Sequence, residues 1–198
     1  MKFLPSLIIV GLPDAAVRES SQRVTSAIGA SALFLDDGIK TVNLAPADLK
    51  KEGPAFDLPI ALAMVAASRT KPFNADHCCV VGELGLDGAV RPVKGILSIA
   101  LEARRRGRTH LLVPEQNAPE AAVIEGIHVF PIRCLKEAWD FLIGELVIPP
   151  FYLDRQAFFN AHHTYEVDFD EVRGQHHVKR ALEGAAAGAH ALLKLWPN

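Results

Sequence analysis

Several features that would mark a specific class of protein are scarce in this sequence. Its 198 residues include three cysteines, an odd number, and no two of them are spaced as CxxC. This argues against a disulfide framework and favours reduced, buried thiols in a cytoplasmic protein. Aromatic residues make up only 7% of the chain, and the formal net charge is -2. Without a global basic field, any contact with DNA has to be local.

Long hydrophobic runs are missing as well. The apolar stretch Leu7–Val10 is short, and Pro5, Gly11 and Pro13 interrupt it. A membrane-spanning helix needs about 20 apolar residues, so we expect a buried strand here and no membrane partner. Low-complexity tracts and internal repeats are not evident.

The residues that are present suit a globular protein with a core, being 49% hydrophobic and 22% charged. Strand and helix patterns alternate along the chain, which predicts the α/β class. The predicted strands are Leu7–Val10, Lys40–Ala45, Thr109–Val113 and Ile127–Phe130, with a hairpin of Cys78–Leu84 and Ala89–Val93 around Asp87-Gly88. The predicted helices are one beginning at Pro13, then Leu58–Ser68 with Asp57 as its N-cap, Ile96–Arg106, Pro119–Glu125 and Leu135–Ile143.

The chain changes character after residue 146, where we predict a domain boundary. Residues 147–166 contain Pro149-Pro150, several aromatic residues and His162-His163 without a clear period, which indicates a linker. Residues 167–198 hold an alanine-rich helix predicted to end near Gly188, followed by the start of a strand at Leu192.

Three stretches resemble the Mg-chelatase-like AAA+ ATPases of the YifB/ComM family. They are Ile9–Ser20, Thr41–Ala61, and Gly82–Leu84 together with Gly88–Pro92. The resemblance implies that residues 1–146 form a Lon-protease-like domain, an α+β sandwich with the fold of the second domain of ribosomal protein S-five. It also implies that Asp168–Gln175 opens an AAA+ ATPase module, of which residues 167–198 would be the beginning.

The family implies a hexameric, DNA-processing motor that uses ATP and Mg²⁺, as in branch migration during natural transformation. Its nucleotide-binding loop, GxxxxGKS or GxxxxGKT, would follow Leu193, but the chain reads Lys194–Asn198 instead. Because no glycine-rich loop supplies backbone amides to a phosphate, we expect this chain to hold no cofactor of its own and to bind ATP negligibly.

The Lon resemblance raises the question of a Ser-Lys catalytic pair. That chemistry needs a hydroxyl nucleophile and a nearby amine of lowered pKa. The serine of the Lon pattern falls on Ala55, and its lysine falls on Leu97. A shifted pair of Lys94 and Ser98 is disfavoured, because polar residues at a helix start usually cap it or face solvent. We therefore predict that the chain has no catalytic residues.

Two basic segments are candidates for contact with DNA phosphate or a neighbouring subunit. One is the loop with Lys50 and Lys51, for which a solvated loop is the simpler interpretation. The other is the dense run of arginines Arg104, Arg105, Arg106 and Arg108. Cations at a helix C-terminus gain roughly 0.3–1 kcal/mol from the helix dipole, so these arginines need no ligand to explain them. No aromatic residues interleave with them, which gives no support for stacking of single-stranded bases.

Four other functions compete with the DNA-processing hypothesis: metal binding, oligomerisation, peptidase activity and magnesium chelation. The pairs His162-His163 and His176-His177 lack the spacing and partners of a zinc site, so no metal is expected. The main alternative is a DNA-independent oligomerisation or interaction module, including a truncated fragment without function. A Lon-like peptidase is disfavoured by Ala55 and Leu97, and nothing in the sequence suggests the porphyrin site of a true magnesium chelatase.

Overall fold

A computed structural model describes residues 6–68, 73–154 and 173–188 of the chain. The chain divides into two compact units, residues 1–153 and 154–198. In the first unit, the strands are β1 (Ser6–Val10), β2 (Ile39–Asn43), β3 (Cys78–Val80), β4 (Glu83–Leu84), β5 (Val90–Arg91), β6 (His110–Pro114) and β7 (His128–Ile132). Its helices are α1 (Ala15–Ala30), α2 (Asp57–Ala67), α3 (Ile96–Arg105), α4 (Ala118–Ala121) and α5 (Leu135–Leu142), with a 3-10 turn at Pro54–Phe56.

Strands β1 and β2 pair in parallel, with Leu7 opposite Lys40 and Ile9 opposite Val42. Since side chains alternate across a strand, Leu7 and Ile9 pack on the core while Ile8 and Val10 stay exposed. Helix α1 lies between β1 and β2 in the chain. Its first turn is capped by the Asp14 carboxylate, which accepts a hydrogen bond from the Val17 amide at 2.8 Å. The buried face of α1 contains Ser20 together with Val17 and Val24.

The second sheet has the strand order β3-β6-β7, and all its pairs are parallel. Leu111, Leu112 and Val113 of β6 are fully buried, as expected for a central strand covered on both faces. Helix α4 connects β6 to β7. This alternation of parallel strands and helices confirms the predicted α/β class.

The predicted hairpin needs a correction, because Cys78–Leu84 is not one strand. β3 pairs in parallel with β6, whereas only β4 pairs antiparallel with β5. Between them, Gly82 turns toward the 3-10 turn, where its amide donates to the Ala55 carbonyl at 3.0 Å. A side chain at Gly82 would press on Val90 and Leu58. The close approach of these segments therefore separates the two strands.

Two apolar clusters form the core of the first unit. Helix α2 is buried nearly all round and packs in the larger cluster with Trp139 of α5. The smaller cluster lies between α3, α4 and the sheet around Ile96 and Val129. None of the helices in the described segments is long and apolar enough to span a bilayer.

The segment after Leu146 contributes to the first unit. Ile148 belongs to the larger apolar cluster, and the Phe151 amide donates to the Val129 carbonyl at 2.7 Å. In the second unit, the described residues form helix α6 (His176–Ala187). The predicted strand at Leu192 and the pair His162-His163 lie outside the described residues.

Candidate functional site

A cavity of about 380 Å³ surrounds the position of the expected Lon serine. We call it the Ala55 cavity; its lining residues are Glu52, Gly53, Pro54, Ala55, Glu83, Pro92, Val93 and Lys94. None of these side chains carries a hydroxyl or a thiol. Leu97 does not line the cavity and is 42% exposed on α3. The amine that lines the cavity is therefore that of Lys94. The resemblance places the catalytic lysine at position 97, which is a leucine here.

Asp57 lies two residues after Ala55 and has a role that the sequence did not reveal. The carboxylate was expected to cap α2, but it makes no capping bond and is completely buried. It instead accepts bonds from Arg23 Nε at 2.7 Å, Arg23 Nη2 at 3.1 Å and the Leu84 amide at 3.2 Å. Hydrogen bonding to this carboxylate raises the pKa of Arg23. Arg23 therefore ties α1 to α2, and the same carboxylate holds β4.

Asp14 connects α1 to the loop that contains Gly53, a residue that lines the Ala55 cavity. Its second carboxylate oxygen accepts a hydrogen bond from the Gly53 amide at 3.0 Å. The backbone hydrogen bonds from Val17 and Gly53 lower the pKa of Asp14. One carboxylate thus caps the helix and also fixes the loop beside Ala55.

The two lysines predicted as candidate contacts differ in their surroundings. Lys50 is exposed, and its ammonium pairs with Glu52 at 2.8 Å. Lys51 is 8% exposed, and its ammonium donates to the carbonyls of Pro46 and Leu49. Because its ammonium group is bonded inside the loop, Lys51 cannot contact an external partner in this conformation.

The arginines at the end of α3 form an exposed basic surface, here called the arginine surface: Arg104, Arg105, Arg106 and Arg108. Glu102 is the carboxylate that pairs with Arg105, at 3.7 Å, and with Arg106, at 2.7 Å. Arg104 and Arg108 donate to the backbone carbonyls of Glu125 and Asp76. A backbone carbonyl does not neutralise a guanidinium, so the surface keeps a positive charge.

A second cleft, of about 440 Å³, lies at the amino-terminal edge of the three-stranded sheet. We call it the ring cleft; its lining residues are Asn74, His77, Cys78, His110, Phe141, Leu142, Ile143 and Gly144. In the strand register, Cys78, His110 and His128 form one row across β3, β6 and β7. The sequence alone does not reveal this cleft, because its rings come from three separate segments.

Two groups that line the ring cleft, His110 and Cys78, have pKa values shifted from their ordinary range. Burial lowers the pKa of His110, and the neighbouring His128 and His77 lower it further. Burial also raises the pKa of the Cys78 thiol, although nearby Arg108 opposes this shift. The thiol is therefore protonated near neutral pH and is not an activated nucleophile. Across the described segments, no three histidine, cysteine or acidic residues are grouped to hold a metal ion.

The chain is similar in sequence to one described family and to several bacterial proteins. Residues 1–117 match the family described as subunit ChlI of Mg-chelatase. YifB of Salmonella typhimurium is 42% identical over 196 residues, and competence protein ComM of Haemophilus influenzae is 38% identical over 197 residues. Each alignment covers 98% of this chain but 38% of the relative. DNA repair protein RadA of Streptococcus pneumoniae is 34% identical over 89 residues, which are 45% of this chain and 21% of RadA.

Proposed function

This chain belongs to the Mg-chelatase-like family that includes YifB and ComM, and from this premise we propose that it is a non-catalytic, DNA-contacting domain of a DNA-processing ATPase. The names of two relatives, a competence protein and a DNA repair protein, support a role in DNA processing. The proposal assigns DNA contact to the arginine surface and no chemistry to the Ala55 cavity.

The observation that carries the DNA-contact proposal is the charge of the arginine surface. Arg105 and Arg106 pair with the Glu102 carboxylate, whereas Arg104 and Arg108 donate to backbone carbonyls that leave their positive charge in place. Arginine binds phosphate oxygens in a bidentate geometry that its planar fork matches. Phosphate contacts of this kind supply affinity without reading sequence. A local basic surface also agrees with the overall charge of -2, which excludes only a global basic field.

The Ala55 cavity supports the non-catalytic part of the proposal. Acyl transfer at this position would need a nucleophile, and the methyl group of Ala55 cannot provide one. Lys94 lines the cavity, but an amine alone has no hydroxyl there to deprotonate. The cavity is therefore proposed as the remnant of a peptidase-like centre, without turnover of peptide.

ATP, Mg²⁺ and a hexameric ring remain proposals about a longer protein of this family. The described residues do not fit ATP or Mg²⁺, since they contain no metal-ligating cluster and the sequence contains no GxxxxGKS or GxxxxGKT. YifB and ComM extend well beyond the 38% of their length that this chain matches. We propose that nucleotide binding and hydrolysis belong to that additional length, and that this domain assembles with copies of itself as part of the ring.

The test of DNA contact is a titration of a fluorescein-labelled 20-base-pair duplex with the 198-residue chain, followed by fluorescence anisotropy. Arg105 and Arg106 are the best residues to change, because their side chains are 81% and 73% exposed. Reversal of both charges, R105E with R106E, is expected to weaken binding by about tenfold or more at low salt. The matched control, R18E with K136E, changes the net charge equally at other exposed sites and should weaken binding far less.

A second candidate function is a DNA-independent oligomerisation module. The observation that favours it is the outer face of the β1–β2 sheet, where Ile8, Val10 and Ile39 are 46%, 42% and 72% exposed. Parallel sheets are normally covered on both faces, so this apolar face invites a partner. Salt-independent self-association in analytical ultracentrifugation, abolished by I39K and accompanied by no DNA binding, would favour this function over the first.

A further inference from the structure

We infer that the ring cleft accepts an unstacked base of single-stranded DNA, with the adjoining phosphate held by Arg108. This inference rests on the proposed DNA contact of the arginine surface and extends it to a second, neighbouring site. This contact differs in kind from that of the arginine surface. A basic surface binds the phosphates of any DNA, whereas a cleft that binds a base requires an unpaired strand.

The size and walls of the cleft suit a flat, partly apolar ligand. Its volume of about 440 Å³ lies within the roughly 300–1,000 Å³ typical of small-ligand sites. His77 and His110 contribute imidazole rings, and Phe141 contributes a phenyl ring. Rings of these types are the ones on which proteins stack single-stranded bases.

Two of these rings, those of His110 and Phe141, are held in place by packing against Phe130. The His110 ring stacks on Phe130 with centroids 5.1 Å apart and planes 4° apart. Phe130 in turn contacts Phe141 at 4.7 Å with a tilt of 42°. A stacking wall that is already ordered loses little conformational freedom when a base binds. The lowered pKa of His110 keeps its ring neutral near pH 7, which suits contact with a neutral base.

The polar groups of the cleft suit the edge of a base. Asn74 is exposed, and its amide makes no hydrogen bond with any described residue. An amide offers a donor and an acceptor side by side, the pattern that pairs with the edge of adenine. The cleft also includes the end of α5, whose terminal carbonyls carry partial negative charge and favour the amino groups of a base over a phosphate.

Arg108 connects the ring cleft to the arginine surface. Its guanidinium donates to the carbonyl of Asp76, the residue directly before the cleft residue His77. This places a cation at the rim of the cleft, two residues before His110 on the chain. A nucleotide can then lay its base against the rings while its phosphate meets Arg108. The cleft itself has no lysine or arginine among its lining residues, so the phosphate belongs at the rim.

The experiment compares a fluorescein-labelled 20-nucleotide single strand with the corresponding duplex, using the full chain and three variants. His77→Ala removes an exposed ring without disturbing the core and is expected to weaken single-strand binding about fivefold or more, with duplex binding unchanged within about twofold. His77→Phe keeps a ring and should restore single-strand binding. His176→Ala makes the same change at a histidine of helix α6 in the second unit and should bind as the unaltered chain does.

Photo-crosslinking gives an independent measurement. A single strand carrying 5-iododeoxyuridine should form an adduct that mass spectrometry maps to the peptide containing His77 or to that containing Phe141. The inference is overturned if His77→Ala binds the single strand as tightly as the unaltered chain, or if every adduct maps elsewhere. If duplex binding still responds to R105E with R106E, only this inference fails. If neither form of DNA binds, the proposed function fails with it.

Discussion

Arg23 and Asp57 form a bidentate ion pair between α1 and α2, with the guanidinium bonding both carboxylate oxygens at 2.7 and 3.1 Å. The carboxylate is completely buried, and the Arg23 side chain is 22% exposed. The same carboxylate holds the Leu84 amide, so one side chain joins two helices to strand β4. Leu84 directly follows Glu83, which lines the Ala55 cavity.

Removal of the arginine from this pair should destabilise the fold strongly. Arg23→Ala leaves a buried carboxylate without its cation, which typically costs about 3–5 kcal/mol. Urea denaturation followed by circular dichroism measures the loss. Arg18→Ala, on the exposed face of the same helix, is the control and should change stability by less than about 0.5 kcal/mol. Equal stability of the two variants would show that the ion pair does not hold α1 in place.

Gly11 should tolerate no side chain, in contrast to Gly107. Gly11 has φ of +103°, and an added Cβ would overlap the carbonyl oxygen of Leu44 on the neighbouring segment. Gly11→Ala is therefore expected to cost about 3 kcal/mol or more. Gly107 has φ of +73° and open space around it, so Gly107→Ala should cost only about 1–2 kcal/mol. Thermal melts of both variants test this ranking, and a smaller loss for Gly11→Ala would contradict the close approach of Gly11 to Leu44.

The Asp14 carboxylate should give the fold a pH-dependent contribution at the acidic end. Backbone hydrogen bonds lower its pKa in the folded state, so its stabilisation is fully present above the ordinary aspartate pKa of 3.8 and is lost as pH falls through the lower folded pKa. Asp14→Ser keeps an oxygen that can cap α1 but cannot titrate. The difference in urea midpoint between the two proteins should shrink as pH falls from 6 to 2.5. A constant difference would assign the effect to capping alone.

The chain should not react with serine-directed reagents. Ala55 removes the hydroxyl from the cavity, and Ser98, the alternative raised by the sequence, does not line the cavity with Lys94. Incubation with a fluorophosphonate probe should therefore leave the protein unlabelled, as judged by intact-mass spectrometry. If a label appears, the variant Ser98→Ala tests whether Ser98 carries it. Loss of the label in that variant would support the peptidase hypothesis.

The sequence predicted the elements that depend on local pattern. Apolar periodicity identified α1, α2 and α3, and the run of buried residues in β6 was evident from its composition. The resemblance on residues such as Ile9–Ser20 predicted the family, which the match to residues 1–117 confirms. These features could be predicted because each is encoded within a single segment of the chain.

Features that join distant segments could not be predicted in the same way. Asp57 looks like a helix cap by position, yet its partner Arg23 lies 34 residues earlier and reaches it only in the folded chain. The separation of β3 from β4 depends on the pairing of β3 with β6, about 30 residues later. The ring cleft likewise collects side chains from β3, β6 and α5. Local propensity carries no information on which remote partner a side chain will meet.

The salt dependence of DNA binding tests the central claim most directly. Anisotropy titrations of the labelled duplex between 50 and 200 mM salt give the slope of log affinity against log salt, to which each phosphate contact contributes about 0.9. The unaltered chain should show a clear negative slope, and R105E with R106E should reduce its magnitude by about 1.8 if both arginines contact phosphate. An identical slope for the two proteins, or no binding at the lowest salt, would contradict a DNA-contacting role for the arginine surface.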